Sequence, residues 1–157
     1  MAPPTRPGAQ QGGSQRRIVL LGCVKLKQPV PALARDLYVS PLWRKRRTYA
    51  EASGLPWLIL SAKHGVLDPD ELVSPYDLAL TQLRRAEQRA WGQAVASELE
   101  QRLKPLRDVA FEVHASRPYC AAIEKPLSAA GAVLLAPLAG LTLGRQLSWY
   151  TARPGSR

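Results

Sequence analysis

Four short apolar runs are spaced along the chain: Ile18-Val-Leu-Leu-Gly-Cys23, Trp57 to Ala62, Val109-Ala-Phe-Glu-Val-His-Ala115 and Ala132-Val-Leu-Leu-Ala136. Runs this continuous, bounded by polar residues or glycine, predict parallel strands covered on both faces. The stretches between them change to helical periodicity. Pro31 to Ala52 predicts a helix in two pieces, broken near Ser40-Pro41, with Ser40 as N-cap and Pro41 in the first helical position. Leu80, Leu83, Ala90, Ala94, Val95, Leu99 and Leu103 predict one amphipathic helix over 78–103, capped by Asp77 or Thr81 and stopped by Lys104-Pro105. Tyr119 to Ala130 predicts another, and Arg145 to Tyr150 a short last one. Strands alternating with helices predict an α/β fold, a three-layer α/β/α sandwich on a four-stranded parallel sheet. In such sheets ligands bind beyond the carboxyl ends of the strands, where the strand order reverses.

That rule selects residues. Beyond the first strand lie Cys23, Lys25 and Lys27; beyond the second, Ser61, Lys63 and His64; beyond the third, His114 and Ser116; beyond the fourth, a segment with Gly140 and Gly144. Ser61 to Asp77 stands out. It holds a Lys, a His, three Asp, a Glu and a Tyr, more ionisable groups than a simple connection requires. Within it Asp68-Pro-Asp70 has turn chemistry. His64, Asp77, Lys63 and Ser61 are the candidate catalytic residues. A carboxylate can activate water or steady a developing cation, and His or Lys can donate a proton to a leaving group. Cys23, Lys25, Lys27, Arg35, Tyr38, Tyr76, Gly140 and Gly144 are the candidate substrate contacts, the lysines and Arg35 for phosphate, Tyr76 or Tyr38 for stacking on a base, and the glycines for backbone N–H groups facing an anion.

Charge adds a partner. The 157-residue chain carries 22 Lys and Arg against 12 Asp and Glu, a net +10. This favours a polyanion, DNA before RNA, or a nucleotide. An Arg-rich composition without any such partner gives the same total. Arg44, Lys45, Arg46 and Arg47, beside Trp43 and Tyr49, are the candidate nucleic-acid contacts. They cannot all share one helix face, and a solvated surface is the plain alternative. Arg84, Arg85 and Arg89 could serve a purely DNA-binding module in the same way.

Other classes fall away. The chain has no phosphate-loop or dinucleotide glycine pattern. Cys23, His64, His114 and Cys120 lack paired metal-ligand spacing, so neither metal nor cofactor is expected. Cys23 near two lysines has the surroundings of a nucleophile, but a small buried residue is the stronger reading. No run reaches the roughly 18 apolar residues of a membrane span. Two cysteines and a polar N-terminus predict a cytoplasmic protein with no membrane partner. Residues 1–15 read as a disordered basic lead, 16–152 as one domain and 153–157 as a frayed tail.

Leu21-Gly-Cys-Val-Lys-Leu-Lys27, Ala34-Arg-Asp-Leu-Tyr-Val-Ser40, Leu60-Ser-Ala-Lys-His-Gly-Val-Leu67 and Ser74-Pro-Tyr-Asp77 resemble a group of small bacterial and phage domains. These are similar in turn to the peroxide-stress DNA-binding (YaaA-like) family and, more distantly, to the uracil-DNA-glycosylase-like fold. The resemblance implies a DNA-associated function and a strand order of 2-1-3-4. It does not carry glycosylase catalysis residue by residue. The water-activating Asp-Pro-Tyr of those enzymes is replaced here by Lys25 and Lys27, and their His-Pro-Ser after the last strand has no counterpart in Leu138 to Gly144. The expectation is a protein that cleaves the N-glycosidic bond of a base or nucleotide. The alternatives are a non-catalytic DNA-binding stress or defence module and an enzyme on free nucleotides.

Overall fold

The computed structural model describes residues 15–153. Nearly all of the basic lead and all but Arg153 of the tail lie outside the described residues. The elements in chain order are β1 (Arg16–Gly22), β2 (Ala32–Leu33), α1 (Ala34–Leu37), α2 (Pro41–Ser53), β3 (Trp57–Ser61), β4 (Gly65–Leu67), β5 (Leu72–Val73), α3 (Arg85–Leu103), β6 (Val109–His114), α4 (Arg117–Ala129), β7 (Val133–Leu135) and α5 (Leu143–Thr151).

The main sheet has five strands, in the order β4-β3-β1-β6-β7. β1 runs parallel to β3 and β6, and β6 parallel to β7. β4 runs antiparallel to β3, with Ser61 opposite Gly65 and Ile59 opposite Leu67. The expected four-stranded, all-parallel sheet is thus corrected to a mixed one. Gly65 makes the added hairpin possible: its φ of +75° is accessible to glycine and strained for other residues. A separate antiparallel pair joins β2 to β5. Part of what reads as one long loop after β3, Gly65–Leu67 and Leu72–Val73, is therefore paired strand.

Period-two alternation divides the core. Ile18 and Leu20 of β1, with Val109, Phe111 and Val113 of β6, pack with Trp91, Val95 and Leu99 of α3 and Ile123 and Leu127 of α4. Val19 and Leu21 point the other way, to Ala34 and Leu37 of α1 and Trp43 and Ala50 of α2. Ser40 and Pro41 start α2 as predicted, and the Ser40 hydroxyl accepts the Trp43 N–H at 3.1 Å. The long helix is shorter than its periodicity suggests. Leu80–Gln82 forms a 3-10 turn that drops Leu80 into the core, and α3 begins only at Arg85. Neither Asp77 nor Thr81 caps it; the Glu87 carboxylate accepts the Arg84 N–H instead, at 3.2 Å. Gly92 lets α3 approach α4, since a Cβ there would sit 1.9 Å from the Ala122 carbonyl oxygen.

Candidate functional site

The strand ends beyond β1 and β6 enclose a cavity of about 550 Å³. Its polar lining comes from Cys23, Lys25 and Lys27 after β1, Arg46 on α2, Asp77, Thr81 and Gln82 before α3, and Ser116 and Tyr119 at the start of α4. A second, more open depression shares Lys25, Lys27 and Asp77 and adds Tyr76. Four residues pointed out by the strand-end argument, Cys23, Lys25, Lys27 and Ser116, are thus brought together with Asp77.

The backbone positions the two walls. The Cys23 N–H donates to the Leu60 carbonyl at 2.9 Å, carrying the β1–β3 ladder one residue past the strand. Lys27 forms an isolated antiparallel bridge to Tyr38, and the Val39 N–H donates to the Leu26 carbonyl at 3.1 Å. This ties the lysine loop to the end of α1. On the opposite wall the Ser61 hydroxyl donates to the Tyr76 hydroxyl at 2.7 Å, and the Tyr38 hydroxyl meets the same oxygen at 2.6 Å. The Lys27 ammonium stands 4.4 Å from the centre of the Tyr76 ring, a cation–π contact. Tyr76 therefore joins the walls, immediately before Asp77.

The electrostatics favour anions. Burial pushes the Lys27 ammonium below its ordinary 10.5, against the opposing pull of Cys23 and Asp77. Burial raises the phenols of Tyr38, Tyr76 and Tyr119 well above the usual tyrosine range, so at neutral pH they remain hydroxyl donors. Tyr119 shares a 3.2 Å contact with the Cys23 sulfur. Among the described residues Asp77 is the one carboxylate in a lining that also includes Lys25, Lys27 and Arg46.

Other expected residues lie elsewhere. Ser61 is fully buried, and its hydroxyl also accepts the His64 N–H at 3.0 Å, closing the hairpin turn. Lys63 and His64 are exposed in that turn and outside the cavity lining; His64 meets Tyr76 edge-on, with ring centres 5.3 Å apart. Tyr38 is buried beneath Tyr76 and packs on Trp43, so its ring offers no stacking face. Arg35 is engaged by Asp70 and Glu51, and stands over Trp57 rather than in the cavity. Asp68 closes the expected turn by accepting the Asp70 N–H at 2.9 Å. Gly140 and Gly144 lie outside the lining, Gly140 at the end of the turn preceding α5.

The cationic run of α2 is split by the helix. Arg44 is exposed, while Lys45 reaches Thr151 at 3.4 Å. Arg47 pairs with Asp36 and with Glu51, the latter at 2.7 Å. Arg46 turns inward, only 3% exposed, and donates to the Gly22 carbonyl at 2.9 Å. It enters the site from beneath rather than forming an outer surface.

A second polar group, unforeseen as a unit, lies behind Arg46. His114 is fully buried, with Nε2 2.9 Å from Glu112 Oε2 and Nδ1 2.7 Å from the Tyr150 hydroxyl. Arg17 donates to the other Glu112 oxygen at 2.7 Å. Burial alone would raise the Glu112 carboxyl, but His114, Tyr49 and Arg17 outweigh it and hold it at about 2. The signal was in the strand: Glu112 and His114 are two residues apart in an apolar run, hence on one face. Among the described residues no group of three His, Cys, Asp or Glu side chains could hold a metal ion, and no helix is long and apolar enough to cross a membrane.

The fold and cavity define a class: an α/β domain with a basic, strand-end pocket. The chain belongs to the family of unknown function DUF6884, which it matches over residues 18–152. It is also 43% identical over 65 residues to the uncharacterized protein YfjM of Bacillus subtilis (strain 168). That match covers 38% of this chain and 43% of the relative, so it spans less than half the length of either. No solved structure matches the chain.

Proposed function

We propose that the pocket binds a nucleotide unit, free or within DNA, and that the protein hydrolyses its N-glycosidic bond. The observation that carries this reading is a single carboxylate, Asp77, set among Lys25, Lys27 and Arg46 in a cavity of about 550 Å³. The cations suit phosphate, and the carboxylate suits the reacting sugar. Water attacks C1′, the C1′–N bond breaks with its electron pair leaving on the base, and Asp77 takes the water proton. Lys27, whose burial weakens its hold on a proton, supplies one to the departing base. Tyr76 offers a ring for the base beside the open depression.

The more distant likeness supports the same reading. The parallel strands stand β3-β1-β6-β7, consistent with the order implied by the uracil-DNA-glycosylase-like fold, and apolar clusters lie on both sheet faces, as an α/β/α sandwich requires. In this reading Asp77, from a different segment, takes over the role of the missing Asp-Pro-Tyr. Chromatographic detection of free base from nucleoside monophosphates and from uracil-containing or modified oligonucleotides tests the proposal. Release that disappears in Asp77→Asn sustains it. No release from any of these substrates, or an Asp77→Asn variant as active as the wild type, sinks it.

A second reading is a non-catalytic DNA-binding module. It is favoured by exposed Arg84, Arg85 and Arg89, which lie just past Thr81 and Gln82 of the cavity wall. Binding to duplex and single-stranded DNA should then weaken steeply with salt. A flat response removes this reading.

A further inference from the structure

Arg46 is a buried cation without a carboxylate beside it. Its residue is 3% exposed, and among the described residues it forms no ion pair. One nitrogen donates to the Gly22 carbonyl. The guanidinium also hydrogen-bonds the Tyr150 hydroxyl, and its Nε–H has no partner. That Nε–H is itself shielded from solvent. The telling feature is the charge, since buried charges are almost always paired and a buried guanidinium without an ion pair in a pocket lining calls for an anion or another explanation. Arg46 lines the pocket at the end of β1.

The groups behind it form an ordered chain. Glu112 is ionised, so both its oxygens accept, one from Arg17 and one from His114. Nε2 of His114 therefore carries the hydrogen. In the neutral ring Nδ1 is then an acceptor, and the Tyr150 hydroxyl donates to it at 2.7 Å. The Tyr150 oxygen is left to accept from Arg46. Every donor along this chain then has an acceptor. The direction is fixed at one end by a carboxylate held by Arg17 and opens at the other onto the pocket.

We propose that Arg46 is the anion-binding residue of the pocket, receiving a phosphate group of the substrate, and that Tyr150, His114 and Glu112 are positioning residues that aim it. The identity of the anion rests on the nucleotide reading above; the presence of an anion subsite at Arg46 does not. A buried arginine satisfied by Gly22 and Tyr150 alone would instead be indifferent to phosphate.

Isothermal titration of the full-length protein with inorganic phosphate, and with a nucleoside and its 5′-monophosphate, tests this. Arg46→Gln should lose phosphate affinity at least tenfold, and Arg46→Lys should restore part of it. Tyr150→Phe should weaken the monophosphate about tenfold and the nucleoside less than twofold, a split that general loosening of the fold would not produce. The wild type supplies a readout if these variants do not fold: the ring nitrogens of His114, followed by NMR, should shift saturably with phosphate and report an Nε2–H tautomer. Phosphate that fails to bind the wild type, binds Arg46→Gln undiminished, or leaves the His114 ring unchanged overturns the proposal. Phosphate binding that depends on Arg46, without base release from any substrate, sustains it and removes only the glycosidic reading.

Discussion

Replacing Glu112 by Gln isolates the buried chain with the smallest change of shape. The carboxyl accepts from Arg17 at 2.7 Å and from His114 at 2.9 Å, and its residue is nearly inaccessible. A Gln amide keeps one acceptor oxygen and turns its NH₂ toward either the guanidinium or the imidazole N–H, setting donor against donor. The magnitude comes from the carboxyl's fall from 4.5 to about 2. At about 1.4 kcal/mol per pKa unit, the folded state favours the ionised form by about 3 kcal/mol. The sign is that of a depressed acid: this stability is fully present above the unfolded value near 4.5 and is lost as pH falls toward 2. Urea unfolding followed by the fluorescence of the four tryptophans, at intervals from pH 7 to pH 2, measures it. Glu112→Gln should be less stable by about 3 kcal/mol at pH 7. The gap to the wild type should close below pH 4.5, while the exposed carboxylates cancel in the difference. Two curves that run parallel from pH 6 to pH 2 would refute the reasoning.

Other outcomes rest on single contacts. Gly92→Ala forces a Cβ to within 1.9 Å of the Ala122 carbonyl oxygen, so α3 and α4 must separate; thermal melting should show a loss of about 3 kcal/mol, beyond any gain in helix propensity. Tyr76→Phe leaves the buried Ser61 and Tyr38 hydroxyls without their shared partner and should cost about 2 kcal/mol in denaturant unfolding. Asp77→Asn should lower base release at least about 100-fold while retaining nucleotide affinity in titration. Lys63→Ala, at an exposed position in the β3–β4 turn, should leave the rate within about twofold, and a larger loss would return Lys63 to the site.

β1 and β6 were legible because both their faces are buried, which writes each as a nearly continuous apolar run, Val19, Leu20 and Leu21 being wholly inaccessible; β7 was legible from its apolar run alone, although Val133 and Leu135 are exposed. β4 and β5 were not legible. Gly65-Val-Leu67 and Leu72-Val73 are three and two residues long, set among Asp, Pro and Glu, and only pairing with β3 and β2 distinguishes them from loop. Hence Lys63 and His64 read as strand-end residues when they occupy a hairpin turn. The start of α3 was misplaced because Leu80 and Leu83 keep helical spacing through a 3-10 turn. For the site, the strand-end rule named Cys23, Lys25, Lys27 and Ser116, which lie around one cavity because residues only a few positions past a strand must lie near its end, and Asp77 lines the same cavity. The run Arg44 to Arg47 showed that its cations must diverge, but which one turns inward depends on the packing of α2 against the sheet. That choice makes Arg46 part of the pocket and leaves Arg47 on Asp36 and Glu51. Tyr150 reaches His114 only through the docking of α5, a relation across 36 residues with no local signature.

The most direct test is a crystal structure of Asp77→Asn with a nucleoside 5′-monophosphate. The account predicts the phosphate on Arg46, the base beside Tyr76 within reach of Lys27, and C1′ facing the residue-77 side chain directly or through one water. A nucleotide bound away from this cavity, or one with its phosphate remote from Arg46 and its sugar remote from position 77, would contradict it.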